Sequence, residues 1–232
     1  CYMAEAQTLC PDCQYKSACF EQLNVEELRF ADKSKVQIRY KKGETIIKQG
    51  SFVTHVLYVK QGLVKIYKEH SKESNLIYDI LPSGTLVGLS NLYYSETFQF
   101  SVAALAESAI CSIDREVLEK LITDNGAFAR SVMESINTEL QHLRNKMVSL
   151  THKQTRGKLA DSLLYLAENV FLTNTFSSKL SRNDLAEFSG MSMMSVVRTL
   201  QEFIKRGYLE EREGKINILD MEALEQISQE TF

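Results

Sequence analysis

The chain has 232 residues, 44% of them hydrophobic and 25% charged, with a formal net charge of −3. This is the composition of a globular protein with one large core or two modest ones, and it excludes a chain that coats nucleic acid through bulk charge. It leaves open a reader that gathers a few basic groups on one face. No apolar run approaches the roughly 18 residues of a membrane span. The amino-terminal segment lacks the basic start and apolar stretch of a secretory signal. A cytoplasmic protein without membrane contact is therefore expected.

The amino end, residues 1–30, is a cysteine-containing segment: Cys1, Cys10, Cys13 and Cys19 crowd it, while Cys111 stands alone. In a reducing compartment such clustering points to metal or redox chemistry before a disulfide framework. Taken alone, a Cys-x2-Cys pair also suits zinc or a redox disulfide, and Cys111 also reads as a small buried hydrophobe.

Residues 31–125 form the next segment, β-rich from residue 36 to residue 115. Val56-Leu57-Tyr58-Val59, Leu63-Val64-Lys65-Ile66-Tyr67 and Leu76-Ile77-Tyr78-Asp79-Ile80-Leu81 carry β-branched and aromatic residues. Gly43, Gly50, Gly62, Pro82 and Gly84 punctuate them as turns, a spacing that suits a sandwich or barrel.

Residues 126–152 predict one long helix. Ala129, Met133, Ile136, Leu140, Leu143, Met147 and Leu150 alternate steps of four and three, an a/d seam between mostly polar residues. A strict heptad fits a partner helix better than the chain's own barrel, so a parallel homodimer is expected.

Residues 153–232 hold the remaining elements. Arg156 to Val170 predicts a helix with Leu159, Leu163, Leu166 and Ala167 on one face. Ser181 opens a second helix as N-cap, with Asp184 in the capping-box position, and Gly190 ends it in a tight turn. Ser192 caps a third helix carrying Val196, Val197, Leu200, Phe203 and Ile204, and Gly207 stops it. Two short strands around Gly214 follow. Helix, short glycine turn, helix and hairpin is the order of a winged helix-turn-helix. The third helix is expected to expose Ser192, Met193, Ser195, Arg198 and Thr199. This segment holds ten Lys and Arg against twelve Asp and Glu, so a DNA-binding reading rests on pattern and not on charge. No paired carboxylates with a clear partner, no Ser/His/Asp arrangement and no glycine-rich phosphate loop occur, so no enzyme is expected.

Together these pieces resemble the family of the cyclic-AMP receptor protein and the fumarate-and-nitrate-reduction regulator. Gly43-Glu44-Thr45-Ile46-Ile47-Lys48-Gln49-Gly50, followed by Tyr58-Val59-Lys60-Gln61-Gly62-Leu63-Val64, is similar to that family's cyclic-nucleotide-type roll. The heptad helix sits where the family keeps its dimer helix. The resemblance implies an α+β protein with a sensory β-roll, a long dimerisation helix and a winged helix-turn-helix that binds double-stranded DNA and works with RNA polymerase.

The family's ligand site does not carry over intact. The nucleotide binders open with Gly-Glu-Leu and hold the cyclic phosphate with an Arg-Ser pair; here Gly84-Thr85-Leu86 opens the motif and Phe98-Gln99 stands where Arg-Ser falls. Leu143 and Arg144 lie near the place of the nucleotide binders' hydroxyl groups. A phosphate needs a bidentate cation, which Phe98 is not, so cyclic AMP is not expected. Cys10-x2-Cys13-x5-Cys19 instead has the spacing of the oxygen-sensing regulator, and Cys111 falls in the place of its fourth ligand. The resemblance thus implies a [4Fe–4S] cluster on Cys10, Cys13, Cys19 and Cys111.

The alternative is a regulator of the same fold that senses haem or a small organic ligand, with vestigial cysteines. His55, His70, His142 and His152 sit in no axial-ligand motif and are expected at the surface. Tyr93, Tyr94, Phe98 and Phe100 are candidates for a pocket lining and are expected in the core. In the helix-turn-helix, the resemblance sends Ser192, Met193, Met194, Ser195 and Arg198 to the major groove. Family members often carry Glu at the place of Met194, so an operator that departs from the family consensus is expected. Arg198 suits guanine or a phosphate, and Lys179, Ser181, Arg182, Ser195 and Lys215 are candidates for phosphate contacts.

Overall fold

The computed structural model describes residues 9–13, 16–69, 75–177 and 180–229. Contacts divide the chain into two units, residues 1–64 with 81–140 and residues 65–80 with 141–232. The β-rich stretch forms β1 (Val36–Tyr40), β2 (Thr45–Ile47), β3 (His55–Gln61), β4 (Leu63–Glu69), β5 (Asn75–Pro82), β6 (Leu86–Val87), β7 (Ser101–Ala104) and β8 (Ser108–Asp114), with the three expected runs in β3, β4 and β5. One sheet has the order β1-β8-β3-β6 and the other β2-β7-β4-β5. Gly62, between β3 and β4, has φ +108, and an added Cβ would stand 2.2 Å from the Ser108 hydroxyl and 2.6 Å from its backbone, so only glycine fits. The Ser108 hydroxyl accepts from Leu63 N–H at 3.2 Å.

In the first unit, helices cover the β1-β8-β3-β6 sheet: α1 (Val25–Ser34), α2 (Arg115–Asp124) and the start of α3 (Gly126–His152). Asn24 caps α1 with a full capping box, its side chain accepting from Glu26 and Glu27 N–H while Glu27 accepts from Asn24 N–H. Asn125 caps α3 and also donates to Gln22 O and the Glu27 carboxylate, which ties both helix starts together. Leu28, Leu118, Leu121, Phe128 and Val132 meet Val56, Tyr58, Cys111 and Ile113 of the sheet in one core. Phe20 stands edge-on to Phe128 at 5.8 Å. Side chains of this kind stabilise by about 1.5–3 kcal/mol each on burial, which holds the sheet face under the cysteine segment rigid.

In the second unit, α3 continues from Gln141, and α4 (Thr155–Tyr165) runs into a π-helical segment, Leu166–Phe171. Then come β9 (Thr175–Ser177), α5 (Arg182–Ser189), α6 (Met193–Lys205), β10 (Leu209–Arg212), β11 (Lys215–Ile218) and α7 (Met221–Gln229), with the sheet order β10-β11-β9. Leu159, Leu163 and Leu166 are fully buried, as are Val196, Phe203 and Leu224. A polar cluster lies among them. Tyr165 Oη donates to Asp79 Oδ1 at 2.7 Å, His142 Nε2 stands 3.5 Å from the same oxygen, and its ring stacks on Tyr165 at 4.0 Å. Lys146 Nζ sits 3.4 Å from the Phe188 ring centroid. Burial raises the Asp79 carboxyl against the pull of His142 and Tyr165, and lowers both His142 and Lys146. His142 is thus not the surface residue expected: its side chain is 15% exposed. His55 is half-exposed and pairs with Asp114 at 2.9 Å, His152 is exposed, and His70 lies outside the described residues.

Candidate functional site

Cys10, Cys13 and Cys111 face one cavity together with Tyr58, Lys35 and Lys60. Each has a local cause. A turn closed by Cys13 N–H on Cys10 O at 3.3 Å brings the first two cysteines onto one side of the segment. Cys111 is central in β8, paired with Gln37 of β1 and Tyr58 of β3, and is 5% exposed. Cys10 N–H donates to Asp32 Oδ1 at 2.8 Å, and the same oxygen accepts from Lys35 Nζ at 2.6 Å. The Tyr58 hydroxyl is buried without a hydrogen-bond partner.

Burial pushes the Cys10 thiol up to about 12, opposed by Lys35. Burial raises Cys111 too, opposed by Lys35 and Lys60. Apolar burial therefore keeps these thiols protonated, while the lysines supply the charge that would favour thiolates. Cys19 is placed differently. It precedes the short 3-10 turn Phe20–Gln22, is 4% exposed in the core, and accepts from Ser131 Oγ of α3 at 3.4 Å. Burial raises its thiol against the Ser131 bond. Among the described residues no three His, Cys, Asp or Glu side chains stand close enough to hold a metal ion. Cys10, Cys13 and Cys111 thus line one cavity without forming a closed ligand set, and Cys19 faces α3.

The long helix presents its seam unevenly. Met133, Leu140 and Met147, each seven residues apart, are 60%, 41% and 66% exposed, while Ile136, Leu143 and Leu150 are half-buried. Ile136 packs against the core of the first unit.

In the second unit, Ser181 caps α5 as expected: its hydroxyl accepts from Asp184 N–H at 3.0 Å, and Asp184 accepts from Ser181 N–H at 3.0 Å. Gly190, with φ +64, closes the turn, where Met191 N–H bonds Ala186 O at 3.0 Å. Ser192 caps α6 by accepting from Ser195 N–H at 3.1 Å. Met193 and Met194 are 54% and 76% exposed, and Ser192 and Arg198 are exposed beside them. Thr199 is 3% exposed, not on the outer face as expected. It falls three residues after Val196 and four before Phe203, which is the buried stripe. Arg182 is held in a two-bond pair with Glu211 of β10 at 2.5 and 2.6 Å. Lys215 of β11 is exposed, and Lys179 lies outside the described residues.

Two arrangements escaped sequence reasoning. Lys65 of β4 bonds Asp184 at 2.7 Å and stands 3.5 Å from Glu187, and Asn75 of β5 bonds Glu187 at 3.3 Å, so the β4–β5 hairpin grips α5. Asp32 lies in the last turn of α1 and Lys35 caps that helix, whose signal was the Asn24-to-Glu27 capping box; nothing in sequence marks Lys65. Phe98 is 4% exposed and packs on Phe100 at 5.7 Å. Tyr93 and Tyr94, expected in the core, are 71% and 80% exposed.

A roll of this kind followed by a helix-turn-helix with an exposed recognition helix defines a DNA-binding transcription regulator. Residues 37–125 match the cyclic nucleotide-binding domain and residues 157–227 the Crp-like helix-turn-helix domain. The chain belongs to the family of the cyclic-AMP receptor protein and the fumarate-and-nitrate-reduction regulator. It is 28% identical to "Transcriptional activator protein FnrA" of Stutzerimonas stutzeri, over 94% of this chain and 91% of that protein. It is 25% identical to "Fumarate and nitrate reduction regulatory protein" of Escherichia coli strain K12, over 96% and 91% respectively. FixK2 from Bradyrhizobium japonicum, a solved structure, matches with a TM-score of 0.78 at 21% identity, covering 85% of this chain and 99% of that one, a likeness of fold. These relatives are named as regulators. No helix among the described residues is long and apolar enough to cross a membrane.

Proposed function

We propose that this regulator responds to oxygen or redox state through a [4Fe–4S] cluster on Cys10, Cys13, Cys19 and Cys111, and that it binds a palindromic operator as a homodimer. The observation that carries the reading is the convergence of Cys10, Cys13 and Cys111 on one cavity that also presents Lys35 and Lys60. The donor set fits the group. Soft thiols from a tight turn and a strand suit iron, nearby cations suit thiolates, and the unbonded Tyr58 hydroxyl is a donor with no partner of its own. Such a group supplies a redox-active centre when bound. Cys19 joins by turning from Ser131, and Ser131 lies on α3 two residues before Met133. The ligand segment therefore bears on the helix whose exposed Met133, Leu140 and Met147 suit a second copy of this chain.

Residues 31–125 act as the sensory roll, 126–152 as the dimerisation helix with Met133, Ile136, Leu140, Leu143, Met147 and Leu150 at the seam, and 153–232 as the reader. Ser192, Met193, Met194, Ser195 and Arg198 enter the major groove, with half-sites about one helical turn apart. Ser181, Arg182 and Lys215 meet phosphates, Arg182 by exchanging Glu211 for one. The buried Phe98 supports a roll that does not take a cyclic phosphate. The protein works in the cytoplasm with RNA polymerase and without a membrane. The test is substitution. Cys13→Ser and Cys111→Ser are each expected to abolish iron and sulfide retention after anaerobic reconstitution, and retention by either variant rules that residue out as a ligand.

A further inference from the structure

We infer that Asp32 and Lys35 form a charged buckle that positions Cys10 and sets the reduction potential of the group bound at the cysteine cavity. The inference rests on the cluster reading above and adds to it two residues that supply no ligand. Asp32 Oδ1 does two things at once. It accepts from the Cys10 backbone N–H at 2.8 Å and from Lys35 Nζ at 2.6 Å. The Lys35 side chain is 3% exposed and that of Asp32 18%, so neither charge is screened by bulk water as a surface pair is. Both residues sit at the end of α1, where Lys35 N–H bonds Asp32 O at 3.2 Å. Leu28 and Ala31 of the same helix are locked in the core with Cys111. The pair is thus held at the end of a helix packed into the core, and Cys10, in a short turn, is bonded to it.

Lys35 also faces the cavity that Cys10, Cys13 and Cys111 share. A buried Lys–Asp pair is poor evidence for stability as such, since hydrophobic residues of similar volume serve as well. Its placement makes sense as electrostatics at a site that becomes anionic when loaded. With a cluster bound, four thiolates would outweigh the charge of the iron core, and uptake of one electron from a reductant would add a further negative charge with no atom transferred. A cation near the group favours the reduced form and an anion opposes it. Acting over roughly 10 Å at an effective dielectric of 20, one charge shifts a one-electron equilibrium about tenfold.

The opposite signs of the two side chains give the test. The full chain is reconstituted with ferrous iron and sulfide under nitrogen, iron and sulfide are assayed, and the midpoint potential is measured by dithionite titration with mediator dyes. Lys35→Met is expected to lower the reduction equilibrium constant about tenfold, or about 59 mV for one electron. Asp32→Asn, which keeps an acceptor for Cys10 N–H, is expected to raise it by a similar factor. Lys35→Arg and the double variant D32N/K35M are expected to stay within twofold of the parent, and the double variant keeps the reading available where a lone buried charge prevents loading. Potentials that do not move, or that move in the same direction for Lys35→Met and Asp32→Asn, overturn the buckle while leaving the cluster standing. A parent protein that retains no iron or sulfide removes the cluster reading, and the buckle's role falls with it.

Discussion

Gly190→Ala tests how the reader is built. The glycine sits at φ +64 between α5 and α6, and an added Cβ would stand 2.3 Å from Leu150 Cδ2 of α3. Two independent costs follow. A left-handed backbone costs a residue with a Cβ about 1–2 kcal/mol. Leu150 must also leave its rotamer or the turn must shift, which costs about 1–3 kcal/mol as overpacking. Together the expected loss is roughly 2–5 kcal/mol, a fall in Tm of about 4–20 °C for a chain of this size. Thermal unfolding by circular dichroism measures it, and fluorescence anisotropy with operator DNA follows the angle of α6. Adding Leu150→Ala should return the overpacking part and leave the backbone part, so the double variant is less destabilised than the two single losses added. A Gly190→Ala protein with parental Tm and parental affinity refutes this account of the turn.

Lys65→Met leaves Asp184 and Glu187 facing each other without their cation, and is expected to cost about 3–5 kcal/mol by calorimetry; a change below about 0.5 kcal/mol contradicts the grip of the hairpin on α5. Burial alone would raise the Asp184 carboxyl, yet bonds from Lys65 and Ser181 bring it below its ordinary value of 3.8. Its contribution is therefore complete above pH 3.8 and is lost as pH falls through the depressed value, so Asp184→Asn should flatten the acid limb of stability below about pH 4. Arg198→Ala should cost about 1–3 kcal/mol of operator affinity and relax one base position; a uniform loss across sequences moves Arg198 to the phosphate class. Met133→Glu with Leu140→Glu should give a monomer by light scattering that binds operator weakly, and a stable dimer contradicts the seam.

Local patterns made the second unit the more legible part. The Ser181–Asp184 box, Gly190 and the Ser192 cap are each a few residues long, and their chemistry acts within that span. The same period of α6 that marked Val196 and Phe203 as core also marked Thr199, although a hydroxyl reads as outward. The cavity was legible only in part. Cys10-x2-Cys13 is a turn that sequence can show, but the side of the chain that Cys19 faces depends on Phe20 docking against Phe128 more than a hundred residues away. His142 and Lys65 were illegible for the same reason: their partners, Asp79 and Asp184, are brought to them by tertiary packing and not by spacing.

The most direct test of the central claim is the visible spectrum of anaerobically purified protein, with iron and acid-labile sulfide assayed on the same sample and operator binding measured before and after air. The expected result is a broad visible band, about four iron and four sulfide per chain, and loss of the band and of tight operator binding together on exposure to air. A colourless protein without iron or sulfide that binds its operator equally well in air and under nitrogen would contradict it.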